Sequence, residues 1–403
     1  MVAIDEERGS ARYHESLGIS TVTTAGIFGP NASGKSNILA AFAWLREAVA
    51  GSLRNWDETI PIQPFAFGDA RHQDTSFVVD LVVEGIRFEY ILELNRERVS
   101  FEALYHYPEG RRRRIFERKR NELILQRGLG ELAGARSLLT DRSLVLSIVR
   151  RFEEPATVSF IRSLMNMTSL GHSLNGFRRH PGFGRFKTMD MFEAPIQDEL
   201  DIFLDDELDL RDSSMRQQAM SLLQLADLGV ADVRIEEEKV ERAGGIAKRR
   251  SAKLVHSSDD ERLPFDYEAE SEGTRTWFDL IGPVLVALQR GSLVLFDELE
   301  ANLHPVLTSQ LVQLFQGRAS NPRGAQLIFT SHDTNLLNQL NRDEIWLTQK
   351  GSDGATRFAA LSDFAGEKVR RSQNVERGYL SGRFGALPDV SRPEVLRELG
   401  LLG

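Results

Sequence analysis

A glycine-rich segment of eight residues carries the clearest chemistry in this sequence. Residues 29–36 read GPNASGKS and match the pattern G-x-x-x-x-G-K-[ST] throughout. In such a loop the glycines let backbone N–H groups turn inward around phosphate oxygens, and the helix that follows adds the positive end of its dipole. Lys35 would reach the β- and γ-phosphates as a point charge, and the Ser36 hydroxyl would bind Mg²⁺. The other predicted phosphate contacts are Gly29, Asn31, Ser33, Gly34 and Asn37.

Two adjacent carboxylates follow an apolar strand later in the chain. Residues 293–298 read LVLFDE, so the acidic pair stands where the strand ends. Asp297 is placed to organise Mg²⁺, and Glu298 is placed to polarise an attacking water. A strand end that simply meets solvent can show the same pair. Its occurrence in one chain with a phosphate loop favours the catalytic interpretation.

Another apolar strand leads into a histidine. Residues 327–333 read LIFTSHD. Ligands of open α/β sheets bind at the carboxyl ends of the strands, so His332 could hydrogen-bond the γ-phosphate or the water. A surface histidine that begins a capped helix would give the same pattern. We predict that Glu298, His332 and Lys35 are the catalytic residues.

The periodicity around these residues predicts the elements that position them. Residues 22–28 form a short apolar run before the phosphate loop, and apolar residues recur at helical spacing over 38–49 after it. From 278 to 340 the pattern alternates helix, strand, helix, strand and helix. Alternation of this kind predicts a largely parallel sheet.

The middle of the chain has a different pattern. Residues 77–83 and 87–94 alternate like an antiparallel hairpin, and 100–107 offers a third strand. Residues from about 120 to 230 are predicted to be mostly helical. A strand over 233–240 should then be followed by a basic, glycine-containing turn over 244–250.

Composition excludes several classes of protein. Of the 403 residues 41% are apolar and 27% are charged, which is ordinary for a soluble globular chain. No window approaches eighteen uninterrupted apolar residues, and the polar N-terminus does not resemble a secretory signal, so we expect a cytoplasmic protein without membrane contact. The chain has no cysteine, which excludes disulfides, thiolate metal sites and cysteine nucleophiles. A net charge of −9 argues against a general polyanion binder.

The order of phosphate loop, Asp-Glu strand and Ser-His strand resembles that of ABC-type ATPases. In those enzymes a signature segment ahead of the Asp-Glu strand contacts the nucleotide held by the other subunit. Residues 270–274, ESEGT, occupy this place, and Ser271 and Gly273 resemble the hydroxyl and glycine that touch the γ-phosphate in trans. The segment lacks the paired glycines and the glutamine of transporter signatures, and a polar cap before an apolar helix would also fit. The resemblance implies an ATPase that uses ATP and Mg²⁺ and forms a homodimer or a higher even-numbered oligomer.

A narrower group resembles the chain more closely: the prokaryotic ATPases of abortive-infection and anti-phage systems, which relate OLD-like, PARIS-type and Rad50-like proteins. The shared segments are ESEGT, LVLFDELEANLHP, AQLIFTSHDTNLL, RDEIWL and NVERGYLSGRFGALP. The match covers the phosphate loop and nearly all of residues 262–390, and it is much weaker over about 95–260. It implies a D-loop over 299–304 and a Q-loop residue at Gln63. Relatives usually begin with a further strand, so the adenine-stacking residue stays open, with Tyr13 as a guess.

These features together predict an α/β fold. We expect a P-loop ABC-type ATPase head with a mixed parallel sheet, an antiparallel β subdomain and a helical insertion. The predicted domains are an N-terminal lobe over 1–95, a β extension and helical insertion over 96–260, and a C-terminal lobe over 261–403.

The leading functional hypothesis is the sensor or regulator of an anti-phage defence complex. The sixty residues after the last predicted helix are too few for a Toprim-type nuclease domain, so a nuclease or toxin effector is expected on a separate polypeptide. The alternative is a Rad50-like DNA-repair ATPase that contacts DNA directly. Basic stretches over 111–120 and 248–253 could bind phosphate backbones, although solvated hairpin tips are the commoner explanation. An acidic run over 205–212 is expected to be a charged helix face and not a metal site.

Overall fold

The chain folds into a mixed α/β structure with parallel and antiparallel strand pairs, which confirms the predicted fold class. It comprises two compact units, one formed by Met1–Met167 with Ile328–Gly403 and the other by Thr168–Leu327. The predicted boundaries at 95 and 260 stay predictions. The structure, a computed structural model, describes residues 1–4, 6, 8–126, 129, 134–152, 154–171, 187–193, 213–226, 229–242, 245–258, 261–363 and 375–382.

The first unit holds the phosphate loop and the antiparallel β subdomain. Its elements are β1 (Ala11–His14), β2 (Ile19–Val22), β3 (Thr24–Phe28), α1 (Lys35–Asn55), β4 (Thr75–Val83), β5 (Ile86–Leu94), β6 (Val99–His106), β7 (Arg113–Lys119), β8 (Glu122–Leu125), α2 (Ala135–Leu138), α3 (Val145–Val149), α4 (Pro155–Met165), β15 (Ile345–Lys350), β16 (Thr356–Ala360) and α8 (Val375–Leu380).

The second unit holds the acidic strand and the candidate signature. Its elements are β9 (Thr168–Gly171), α5 (Ser213–Ala226), β10 (Val230–Arg242), β11 (Gly245–Ser258), β12 (Glu261–Asp266), α6 (Glu272–Arg290), β13 (Leu293–Asp297) and α7 (Pro305–Gln316). The residues of β14 (Gln326–Thr330) include the boundary between the units.

The strand before the phosphate loop is completely buried in the first unit. All five residues of β3 are buried. It pairs in parallel with β15, and β16 returns antiparallel to β15. The Phe28 ring meets the Phe329 ring edge-on with 6.4 Å between centroids, and the Ser331 N–H donates to the Ile27 carbonyl. This apolar packing fixes the point at which the loop leaves the strand.

A five-stranded antiparallel sheet in the order β4 to β8 forms the β subdomain of the first unit. Its β4–β5 hairpin turns at Glu84 and Gly85, both with positive φ, as the alternating pattern predicted. One face packs on α4, where the Phe160 ring lies 5.7 Å from Phe88 and 5.9 Å from Tyr90. The prediction of helix from about 120 to 230 omitted β8, whose four residues are too few to show a clear alternation.

A buried carboxylate ties this sheet to the short helix α3. Glu102 on β6 is completely buried and accepts hydrogen bonds from the N–H groups of Val145 and Leu146 at 2.7 and 3.1 Å. It also accepts from the Tyr90 hydroxyl at 3.0 Å, and the buried Arg118 lies opposite it in the strand register. The carboxylate therefore satisfies N–H groups that every helix leaves unpaired in its first turn.

In the second unit β9 pairs in parallel with β13, with Gly171 opposite Asp297. The helical prediction also omitted β9. Strands β10, β11 and β12 form a separate antiparallel sheet. The predicted turn over 244–250 is wrong for most of its length, because β11 begins at Gly245 and continues the hairpin. None of the described helices is long and apolar enough to cross a membrane.

Candidate nucleotide site

The phosphate loop has the conformation that its glycines make accessible. Gly34 caps α1 with φ 100°, a value that side chains rarely tolerate, and it supplies no capping group to the N–H groups of the first turn. Ala32 at the exposed tip also has a positive φ of 61°. The Lys35 side chain is buried, and its ammonium donates to the Gly29 and Pro30 carbonyls at 2.9 and 3.0 Å. The loop therefore already folds around a positively charged group, the ammonium of its own Lys35.

Two threonines that the sequence did not single out support this loop from the β15–β16 hairpin. The Thr348 hydroxyl lies 2.6 Å from the Ser33 hydroxyl, and both side chains are buried. The Thr356 hydroxyl donates to the Ser33 carbonyl at 2.9 Å. The predicted contacts Asn31 and Asn37 are exposed, and Ser36 is half-buried at the second position of α1.

In the second unit the acidic pair lies at the end of β13 as predicted. The Asp297 side chain is completely buried, whereas Glu298 is half-buried. Glu298 has φ 57°, and Asn302 in the candidate D-loop has φ 62°. Left-handed backbone at non-glycine residues costs about 1–3 kcal/mol and concentrates at functional sites. With Ala32, three such positions fall within the predicted nucleotide motifs.

The strand β9 places a further glycine against the acidic strand. Gly171 has φ 96°, and a Cβ atom added there would lie 2.1 Å from the Asp297 carbonyl oxygen. Only glycine allows this close backbone approach. The carboxyl end of β9 is therefore the neighbour of Asp297 within this unit, which the sequence did not indicate.

The candidate signature forms the start of α6. Ser271 is exposed and caps the helix, because its hydroxyl oxygen accepts from the Thr274 N–H at 3.1 Å. The Cβ position of Gly273 lies 3.6 Å from the Asn302 carbonyl oxygen. The second unit therefore brings the signature turn and the candidate D-loop together.

Two hydrogen bonds anchor the segment that leads into the signature. The His256 ring on β11 lies 2.8 Å from the Glu270 carboxylate. The Tyr267 hydroxyl donates to Asp279 at 2.8 Å, about two helical turns beyond the cap. Burial and then this hydrogen bond raise the pKa of Tyr267, so the tyrosine remains a hydrogen-bond donor at neutral pH.

His332 is exposed where the chain leaves β14. The Ser331 hydroxyl oxygen accepts from the Asp333 N–H at 2.9 Å, and Asp333 caps a short 3₁₀ helix, Thr334–Asn338. This replaces the α-helix predicted near 335–340. Glu376 of α8 accepts from Thr334 and Asn338 at 2.9 and 2.7 Å and so holds the 3₁₀ helix in place.

The weaker candidates occupy exposed positions. Gln63 lies exposed in an irregular segment, and Tyr13 on β1 is 64% exposed. Their suggested roles stay predictions. The acidic run over 205–212 lies outside the described residues.

The basic stretches carry many internal ion pairs. Within 4.0 Å of a carboxylate lie Arg112 (Glu89), Arg113 (Glu109), Arg114 (Glu117) and Lys119 (Glu117) in the first stretch, and Arg250 (Glu193) and Lys253 (Glu236) in the second. The Lys248 and Arg249 side chains lie outside the described part. Pairing neutralises part of the charge that a phosphate backbone would need, and nucleic-acid binding stays a prediction.

The phosphate loop and the acidic strand each offer groups that suit ATP or Mg²⁺. The loop presents an ammonium group and an α-helix start without a capping side chain, which suit phosphate oxygens. The Ser36 hydroxyl and the buried Asp297 carboxylate are hard oxygen ligands of the kind that Mg²⁺ prefers.

Comparison with known proteins identifies the family. Residues 25–338 match the family described as "AAA domain, putative AbiEii toxin, Type IV TA system". The chain belongs to this family. Its AAA domain is that of an ATP-binding ATPase, in agreement with the phosphate loop and the acidic strand.

Among solved structures, the crystal structure of an SMC head bound to the C-winged helix domain of ScpA is similar to this chain. The identity is 16% and the TM-score is 0.39, over 85% of this chain and 91% of that chain. No curated protein matches the sequence.

Proposed function

We propose that this AAA-family protein is a Mg²⁺-dependent ATPase whose two nucleotide sites are completed when two copies meet head to tail. Lys35 and Ser36 of one copy would hold the phosphates and Mg²⁺. Ser271 and Gly273 of the other copy would contact the γ-phosphate.

The exposed surface formed by the signature turn and the D-loop carries this proposal. Ser271 and Asn302 are both exposed, and Gly273 lies against the Asn302 carbonyl. These are the two segments that the resemblance to ABC-type ATPases assigns to the contact between subunits. Their juxtaposition on one surface is what a partner's nucleotide would require.

The chemistry follows from the groups present. Bound ATP supplies the transferable phosphoryl group, and Mg²⁺ neutralises its charge. Asp297 would hold the metal, and Glu298 would orient a water and accept its proton. His332 would donate a hydrogen bond to the developing charge.

Light scattering tests the head-to-tail assembly. The molar mass of Glu298→Gln should rise to that of a dimer or a multiple of it with ATP and Mg²⁺, because the variant retains the phosphate contacts and hydrolyses slowly. Adding Ser271→Arg should abolish this shift. Ser221→Arg, at an exposed serine of α5, is the matched control and should leave it intact. If the protein assembles without ATP, Ser271→Arg must still abolish hydrolysis. A monomer that hydrolyses ATP normally with Ser271→Arg would refute the composite site.

We further propose that the ATPase regulates a separate effector in anti-phage defence. The family description, which names a putative toxin of a toxin–antitoxin system, supports this context. Hydrolysis would then trigger or reset the effector. Phage plating efficiency on cells that carry the chain with its neighbouring genes should rise with Lys35→Ala or Glu298→Gln. Equal protection by the wild type and both variants would refute a role for its ATPase activity in defence.

The DNA-binding alternative has its own test. Charge reversal over residues 111–114 should abolish a salt-sensitive DNA complex if these arginines bind the backbone. If wild-type protein forms no such complex at low salt, this alternative is wrong.

A further inference from the structure

The strand register brings the β15–β16 hairpin to the phosphate loop. Leu347 of β15 lies opposite Phe28, the last residue of β3. Since the two strands are parallel, the next residue of each, Thr348 and Gly29, are also neighbours. A Cβ atom added to Gly29 would lie 2.2 Å from the Thr348 hydroxyl and 2.5 Å from its carbonyl oxygen. The packing of the hairpin therefore requires glycine at the first position of the loop.

Thr348 fixes the side chain of Ser33 in the middle of the loop. Its hydroxyl lies 2.6 Å from the Ser33 hydroxyl and 3.3 Å from the Phe28 carbonyl, to which it donates. Thr348 is 0% exposed and Ser33 is 2% exposed. With so little access to water, neither hydroxyl can readily exchange its partner for solvent.

Thr356 fixes the backbone at the next peptide. It lies on β16 opposite Lys350, and its hydroxyl donates to the Ser33 carbonyl at 2.9 Å. The C=O and the following N–H of a trans peptide point in opposite directions. Holding the Ser33 carbonyl on the hairpin therefore directs the Gly34 N–H away from the hairpin. A Cβ atom at Gly34 would lie 2.2 Å from the Thr356 hydroxyl, so the contact is tight.

The hairpin tip is itself anchored. The turn closes through the Gly351 N–H, which donates to Ala355, and the Cβ position of Gly354 lies 3.2 Å from the Phe67 ring. Phe67 and Phe65 pack together with 5.5 Å between ring centroids. A hairpin held at its tip and by its strand pairing can act as a fixed support for a loop.

We infer that Thr348 and Thr356 are positioning residues of the nucleotide site. They hold Ser33 so that the backbone N–H groups of the loop face the phosphates before nucleotide arrives. This inference rests on the proposed ATPase function and deepens it, because it assigns the conformation of the phosphate loop to a hairpin more than 300 residues away in sequence.

Calorimetric titration of the full chain with MgADP and MgATP tests the inference. Thr348→Val and Thr356→Val remove one hydroxyl each at nearly constant volume. Each should raise the Kd for both nucleotides by about tenfold, the equivalent of about 1.4 kcal/mol. Thr348→Ser and Thr356→Ser retain the hydroxyls and should bind within about twofold of the wild type, a difference of about 0.4 kcal/mol. Thr157→Val is the matched control, since the hydroxyl of this buried threonine donates to the carbonyl of Glu154, the N-cap of its own helix.

The outcomes separate this inference from the function on which it rests. If wild type binds neither nucleotide, or Lys35→Ala binds as well as wild type, the proposed function fails and the inference fails with it. If Lys35→Ala loses binding but both valine variants retain wild-type Kd values, only the hairpin inference is overturned. Equal weakening in Thr157→Val, or valine and serine variants that behave alike, would also overturn it. Thr356 is exposed, so its valine variant should fold even if Thr348→Val does not.

Discussion

Replacing Glu102 by alanine should destabilise the first unit more than any other single carboxylate change in its antiparallel sheet. The change removes the acceptor of two helix N–H groups and of the Tyr90 hydroxyl, all of them buried. It also leaves the buried Arg118 without the opposite charge across the strand pair. Each buried donor left without its acceptor costs about 1–3 kcal/mol, so we expect a loss of about 3–5 kcal/mol against a total domain stability of about 5–15 kcal/mol.

The conservative variant should lie between alanine and the wild type. Glu102→Gln keeps one acceptor oxygen but presents an amide N–H₂ to donors, and we expect a loss of about 2 kcal/mol. The double variant Glu102→Leu with Arg118→Met should be no more stable than the alanine variant, because it also leaves the Ser143 and Thr140 carbonyls without their Arg118 donor. This order, with glutamine the mildest change, is characteristic of a buried acceptor that serves several donors.

Urea unfolding followed by tryptophan fluorescence gives the free energies, and hydrogen exchange gives the local effect. Exchange at the Val145 and Leu146 amides should accelerate in Glu102→Ala more than elsewhere in the unit. Glu122→Ala, at an exposed glutamate of the same sheet, is the control and should stay within about 0.5 kcal/mol of wild type. A loss below about 1 kcal/mol in Glu102→Ala, with unchanged exchange in α3, would refute the reasoning.

Three further predictions concern other parts of the chain. The hydrogen bond from Tyr105 lowers the pKa of Glu117, so stability from this carboxylate is complete above its ordinary pKa of 4.5 and is lost as pH falls through the lowered value. Tyr105→Phe should move the carboxyl NMR titration toward 4.5 and reduce acid sensitivity, and an unchanged titration would contradict this. Glu376→Gln should weaken the hydrogen bonds that hold the 3₁₀ helix after His332. We expect kcat for ATP hydrolysis to fall by about tenfold while the Kd for ATP is unchanged. An unchanged kcat would exclude a role of Glu376 in positioning His332. Gly171→Ala should lower the unfolding free energy by about 3 kcal/mol, because its Cβ would meet the Asp297 backbone. The control Gly85→Ala, also at positive φ but facing open space, should lower it by only about 1 kcal/mol. Equal losses in the two variants would contradict the predicted clash.

Features encoded by short-range spacing were predictable from the sequence. The phosphate loop needs eight consecutive residues of defined type, so its position before α1 follows directly from the pattern. The β4–β5 hairpin was visible because side chains alternate on both sides of a Glu-Gly turn. The acidic strand was visible because an apolar run ends abruptly at Asp297.

Features that depend on distant residues were not predictable in the same way. The four residues of β9 carry no strong alternation, and their pairing partner lies more than a hundred positions later. The contacts of Thr348 and Thr356 with Ser33 span 315 and 323 positions. The hairpin itself did have a signal, the sequence GSDG between two β-prone runs, and this turn pattern could have revealed it.

The left-handed backbone at Glu298 sets a limit on how this protein could be stabilised by directed evolution. Asparagine tolerates positive φ better than glutamate, so Glu298→Asn should relieve backbone strain of about 1 kcal/mol. A screen for heat resistance alone would therefore enrich for loss of the predicted catalytic base. Asn302, which already has a residue type suited to its φ of 62°, offers no such gain. Of these two positions with positive φ, only Glu298 is one where selection for thermal stability would oppose the proposed chemistry.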